Sequence, residues 1–280
     1  MALVNDTKKS ANITFVHLAG GEKMGFKHRV PGVDENGVAN VITNTYNSVT
    51  GIPSGLSMKQ ELIYAVSKDL RDKGQDPSKA NLSQYDDDQK KWVGALMLKD
   101  PVSHEMVSVS FPLSDSLGGK IIGMLNTLRL ENRLGEDMKL RTFHSAANTK
   151  INTSDRSYDS INMRPNGSEV KEADIKAVYM KNDSGDLLLK EDGTPDMLPM
   201  GVITGRSKGK DVWAFTERDN LIMETAMVVL DNFKAMKDAQ TQTQTQAQTQ
   251  AHAHDANGDG GDEGGVDLDE AMRAAGSAPH

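Results

Sequence analysis

Three stretches of this chain set cations and aromatic rings at spacings that suit a nucleic-acid strand, whose phosphates attract Lys and Arg and whose unpaired bases lie flat on rings. In residues 138–144 a strand period of two brings Lys139, Arg141 and Phe143 to one face. In 205–210 a basic glycine loop carries Arg206, Lys208 and Lys210 and runs into Trp213. Its glycines let the backbone approach a ligand closely. In 23–30 strict alternation points Lys23, Lys27 and Arg29 one way and Met24, Phe26, His28 and Val30 the other, so that row has charge while its ring faces the core. Lys90, Lys91 and Trp92 make a weaker fourth cluster. Taken singly, a charged strand face is usually just solvated and a Trp at a strand end is usually core. Aromatic residues are 5% of the chain, which argues against an extended stacking platform.

Other chemistries fail on spacing. Gly205-Arg-Ser-Lys-Gly209-Lys210 is one residue short of a phosphate loop, and Asp211 stands where a magnesium-binding Ser or Thr belongs. Leu117-Gly-Gly-Lys120 lacks the leading glycine. Asp255, Asn257, Asp259 and Gly260 imitate the start of a calcium loop, but the twelfth position is Val266 instead of a bidentate Glu. His252 and His254 are two ligands without a third. His17, His28, His104 and His144 are scattered, with no adjacent carboxylate or nucleophile motif. The expectation is a protein that is not an enzyme and needs no cofactor or metal. A hydrolase built on the scattered His and Asp residues is a remote alternative.

The elements that must carry these residues are mainly strands: 12–18, 23–30, 40–46, a hairpin of 91–98 and 106–111 around Asp100–Pro101, 138–144, a pair of 175–180 with 187–190, and 202–203 with 212–215. Residues 31–37 read as a loop, and 146–172 as a long polar loop holding at most one short strand. Residues 57–74 read as a helix, with Ser57 and Gln60 as a capping box, an apolar stripe of Met58, Leu62, Val66 and Leu70, and Gly74 at its end. A second helix is expected over 119–134, closed by Gly135. The longest, 217–239 after Thr216, repeats Ile222, Ala226, Val229, Phe233 and Met236 at helix-seam spacing. The fold class is therefore α+β: a mainly antiparallel sheet with two or three packed helices, the last one long.

Residues 1–239 form a single domain, since no Gly/Pro/Ser linker divides them, and 240–280 a tail. The body holds 33 Asp/Glu against 31 Lys/Arg, whereas the tail holds seven against one. Gln alternating with Thr or Ala, followed by Gly and Asp, offers no apolar face over 240–265, so a disordered tether with an acidic tip is expected. The tip offers Asp267, Leu268, Asp269, Glu270 and Met272 to a partner protein, and its charge lets it compete with nucleic acid for the cationic faces. There is no Cys, and no apolar run approaches the ~18 residues of a membrane span, which points to a soluble, unsecreted protein.

A β-rich body with cationic strand faces, a Gln-rich tether and an acidic terminus is the plan of single-stranded-DNA-binding proteins. With the stretches Phe15-Val-His-Leu-Ala-Gly-Gly and Lys210-Asp-Val-Trp-Ala-Phe and the long last helix, the chain resembles phage-encoded single-stranded-DNA-binding proteins, and among them the Drc-type ssDNA-binding RNA-polymerase cofactors of podoviruses. The resemblance implies a fold distinct from the OB barrel, self-association into homo-oligomers, residence in the cytoplasm of an infected bacterium, and recruitment of a phage RNA polymerase to melted promoters or a part in replication. The chain ends Ala-Gly-Ser-Ala-Pro-His, without the Pro-Phe that closes bacterial tails of this kind. The rival expectation is a structural or scaffold protein of a phage, supported by the near-neutral body and the few aromatics.

Overall fold

A computed structural model describes residues 13–21, 24–33, 35, 37–113, 115–150, 152–154, 156–179, 201–207 and 210–255, with the backbone alone at Ser207, Lys210, Val212, Trp213 and 243–255. It divides into two compact units, Met1–Lys234 and Ala235–His280. The described residues form an α+β fold. Its strands are β1 (Ile13–Ala19), β2 (Gly25–Val33), β3 (Ala39–Tyr46), β4 (Ser48–Leu62), β5 (Lys90–Lys99), β6 (Met106–Pro112), β7 (Met138–Ser145), β8 (Tyr158–Pro165), β9 (Val202–Ser207) and β10 (Lys210–Ala214). Its helices are α1 (Tyr64–Asp72), α2 (Ser116–Leu130) and α3 (Thr216–Asp255).

The first eight strands join in one sheet, ordered β3-β2-β1-β6-β5-β4-β7-β8. Every neighbouring pair is antiparallel except β1 with β6. Alternation makes one face apolar: Phe26, Leu96, Leu98, Val109 and Leu140 on that face are fully buried. The sheet curls, because β2 also comes into contact with β4 and β7 although four strands lie between β2 and β7 in the order. The closing link is short. Asn47 joins β3 to β4, and its carbonyl accepts the N–H of Thr142 at 2.9 Å and the Thr142 hydroxyl at 3.2 Å.

Helix α2 is buried almost all round, from Leu117 to Leu128, as expected of a helix apolar on every side. It packs on β6 and β8, and residues 175–179 strap over it. There the Val178 N–H donates to the Gly123 carbonyl (3.1 Å), Asn126 Nδ2 donates to the Val178 carbonyl (3.0 Å), and the Tyr179 hydroxyl donates to the Gly119 carbonyl (3.1 Å). The stripe Ile222, Ala226, Val229 and Phe233 of α3 is buried as its spacing predicts.

Several elements differ from the sequence expectation. Residues 57–62 are strand, and the helix is confined to Tyr64–Asp72 with no side-chain cap. Leu56, Met58 and Leu62 also fit a period of two, and as strand the segment continues the pairing with β5 from Ile52↔Lys99 to Leu62↔Lys90. Residues 31–33, expected in a loop, extend β2 and pair with 39–41. Helix α2 starts earlier than 119, capped by Asp115, whose carboxylate accepts the Gly118 N–H at 2.6 Å; Asn132 (φ 55°) turns the chain after it ahead of Gly135. The 205–210 loop is a hairpin of β9 and β10. The 146–172 segment contains one strand, β8. Residues 175–179, expected in a strand, have no regular secondary structure, and 180–200 lie outside the described residues. Helix α3 continues through 240–255, where a tether was expected: Gln and Ala are good helix formers, and a helix closes its own hydrogen bonds without an apolar partner. The tip with Asp267, Leu268, Asp269, Glu270 and Met272 lies outside the described residues.

Candidate nucleic-acid interface

The outward face of the curled sheet carries two of the cationic rows. On β7, Met138, Leu140 and Thr142 are buried, which turns Lys139, Arg141 and Phe143 outward together. On β2, Phe26 is buried, and Lys27 and Arg29 take the opposite face. Residues directly paired across strands share a face, so Lys27 shares one with His17 of β1 and Thr45 of β3. Two residues back along β1 on that face stands Phe15, 67% exposed. The structure thus supplies the Lys27/Arg29 row with the ring it lacks in its own strand. The signal was present in the sequence: Val16 and Leu18 as core residues leave Phe15 and His17 outward by period two.

The two rows approach each other through the β3–β4 link. Thr45 pairs with Lys27 and Ser48 pairs with Arg141. Three Cα–Cα steps from Thr45 to Ser48, plus one strand spacing on each side, keep the backbones of Lys27 and Arg141 within ~20 Å.

Charge within this face is not uniform. Lys139 Nζ pairs with Glu169 at 3.2 Å, Arg164 with Asp174 at 2.7 Å, and Lys59 with Glu61 at 2.8 Å. Among the described residues, Lys27, Arg29 and Arg141 have no carboxylate at ion-pair distance. His17 is the cross-strand partner of Lys27. Burial first, then Arg29 and Lys27, hold its imidazole below its ordinary range, so at neutral pH it adds no charge.

The remaining candidates lie elsewhere or fall outside the description. Arg206 is exposed on the separate two-stranded sheet and donates to Asp211 at 2.9 Å. Lys210 and Trp213 lie on β10, in register with Ser207 and Ile203. Lys23 and Lys208 are outside the described residues. Trp92, 38% exposed, lines a groove of about 240 Å³ with Lys90, Lys91, Leu113, Asp219 and Met223, and Lys90 is engaged by Asp87 at 2.9 Å.

His144 does have a carboxylate neighbour, contrary to the sequence expectation. Asp159, its cross-strand partner on β8, sets Oδ1 2.7 Å from His144 Nδ1, and its Oδ2 accepts the Gly21 N–H at 2.6 Å. With both oxygens occupied, Asp159 ties the β1–β2 turn to the β7–β8 pair. Lys120 Nζ on α2 donates to Ser160 Oγ (3.0 Å) and Asn162 Oδ1 (3.3 Å), and burial lowers its pKa. Asn162 in turn donates to Asp174 at 2.7 Å. This network clamps α2 to β8.

Compared with known proteins, the chain matches no family model, no curated protein and no solved structure. Among the described residues, no helix is long and apolar enough to cross a membrane, and no three His, Cys, Asp or Glu side chains gather as a metal site.

Proposed function

We propose that this protein is a non-enzymatic single-stranded-DNA-binding protein with little sequence preference. The observation that carries the reading is the outward sheet face on which Lys27, Arg29 and Arg141, without a carboxylate partner among the described residues, accompany the exposed rings Phe15 and Phe143. Cations track phosphates in any sequence, and rings receive any base, but only bases freed from a duplex can reach them. The setting rests on the resemblance to phage single-stranded-DNA-binding proteins alone: in the cytoplasm of an infected bacterium, the protein holds melted DNA for a phage RNA polymerase or for replication proteins. Filter binding to single-stranded and duplex DNA across a salt series tests the reading. Tighter binding to the single strand, weakening with salt, is expected. Equal affinity for both, or no salt slope, overturns it.

A structural or assembly role is the second reading, favoured by strand β3, which is uncharged and exposed at every residue. Preparations free of nucleic acid by their A260/A280 ratio, with large assemblies on a sizing column, would decide for it.

A further inference from the structure

The two edges of the eight-stranded sheet are built differently. β8 is blunted: it carries Asp159, Arg164 and Pro165, and Lys120 and Asp174 reach onto its side chains. Charges and Pro on an edge deter pairing with another strand. β3 has none of these. Its eight residues, Ala-Asn-Val-Ile-Thr-Asn-Thr-Tyr, include no charge, Pro or Gly, and all eight are exposed. It keeps unbroken register with β2 from Val33↔Ala39 to Phe26↔Tyr46, so no bulge twists the edge away. Val41 (64% exposed), Ile42 (45%) and Tyr46 (46%) give it the β-branched and aromatic content that favours strand pairing. Among the described residues no strand meets its outer edge.

We infer that β3 is a self-association edge, pairing antiparallel with β3 of a second copy of this chain. A row of free N–H and C=O groups is met by another extended strand, and charge selects which one. An uncharged strand facing itself sets no like charges opposite each other, whereas a charged peptide gains no ion pair from it. Antiparallel pairing of identical strands requires a two-fold axis normal to the sheet, an isologous arrangement. That axis keeps the Lys27/Arg29 rows of both copies on the same side.

The test uses the full chain in sedimentation equilibrium, with the double variants I42K/N44K and I42D/N44D. These positions share the face of β3 turned away from Lys27 and Arg29. Wild type is expected to form dimers or larger species built on them. Each variant is expected to raise the dissociation constant ~10-fold or more, by like-charge opposition, with its thermal melt near wild type. Mixing the Lys and Asp variants is expected to restore a mixed dimer. A wild type that stays monomeric at every concentration, variants that associate as wild type does, or a mixture that restores nothing would each overturn the inference. So would a loss of DNA binding with association unchanged, which would make β3 a DNA contact.

Discussion

On β7, Lys139 and Arg141 share one outward face, yet Lys139 reaches Glu169 while Arg141 has no acid within ion-pair distance among the described residues. An exposed pair of that kind holds little energy, but a phosphate must displace Glu169 before it meets Lys139. Arg141→Ala is therefore expected to weaken single-strand binding several-fold more than Lys139→Ala, as read by titration at low salt. His17 gives a residue-scale test in pH. Its proton is disfavoured in the fold by burial and by Arg29 and Lys27, while the unfolded chain takes one up below about 6.5. Above that value both states are neutral and no stability is lost. As pH falls through it, the unfolded chain binds more protons and stability declines. The gap in denaturation midpoint between wild type and His17→Gln is expected to shift in favour of the variant from pH 8 to pH 5. A gap that is the same at both pH values contradicts the assigned environment.

At the scale of elements, α2 is seated on β6 with no room to spare. A Cβ on Gly118 would stand 1.8 Å from the Pro112 carbonyl oxygen, against backbone that cannot turn aside. Gly118→Ala is expected to destabilise by ~3 kcal/mol, measured by urea unfolding. A cost under ~1 kcal/mol would mean that the helix start can slide along the sheet. The same scale explains the reassignment of 57–62. Leu56, Met58 and Leu62 satisfy strand and helix periods alike over so short a stretch, and the choice belongs to β5, which offers partners along the whole of 90–99. Helix α2, by contrast, is apolar over so many consecutive residues that only its ends were misjudged, by the Asp115 cap and the Asn132 turn.

For the whole molecule, the curl of the sheet makes one surface of residues more than a hundred positions apart. If Lys27, Arg29 and Arg141 act together on one strand of DNA, each removed cation lowers the slope of log K against log salt by roughly 0.7. The triple alanine variant is expected to flatten the slope by about 2, while Phe15→Ala lowers affinity by ~1–3 kcal/mol at every salt concentration and leaves the slope alone. A triple variant with the wild-type slope would show that the phosphates travel elsewhere, with the β9–β10 hairpin and its Arg206 the next place to look.

The sequence by itself determined what repeats locally: which side of β2 and β7 is apolar, the stripe of α3 and the α+β class. Periods of two and 3.6 are properties of neighbouring residues, so they are readable without a fold. Only the tertiary structure decided that Phe15 joins Lys27, that Glu169 occupies Lys139, that Asp159 faces His144, and that β3 is left at an open edge. Each of those depends on which distant strands lie side by side, and strand order is set by the curl and closure of the whole sheet, to which no single segment carries the key.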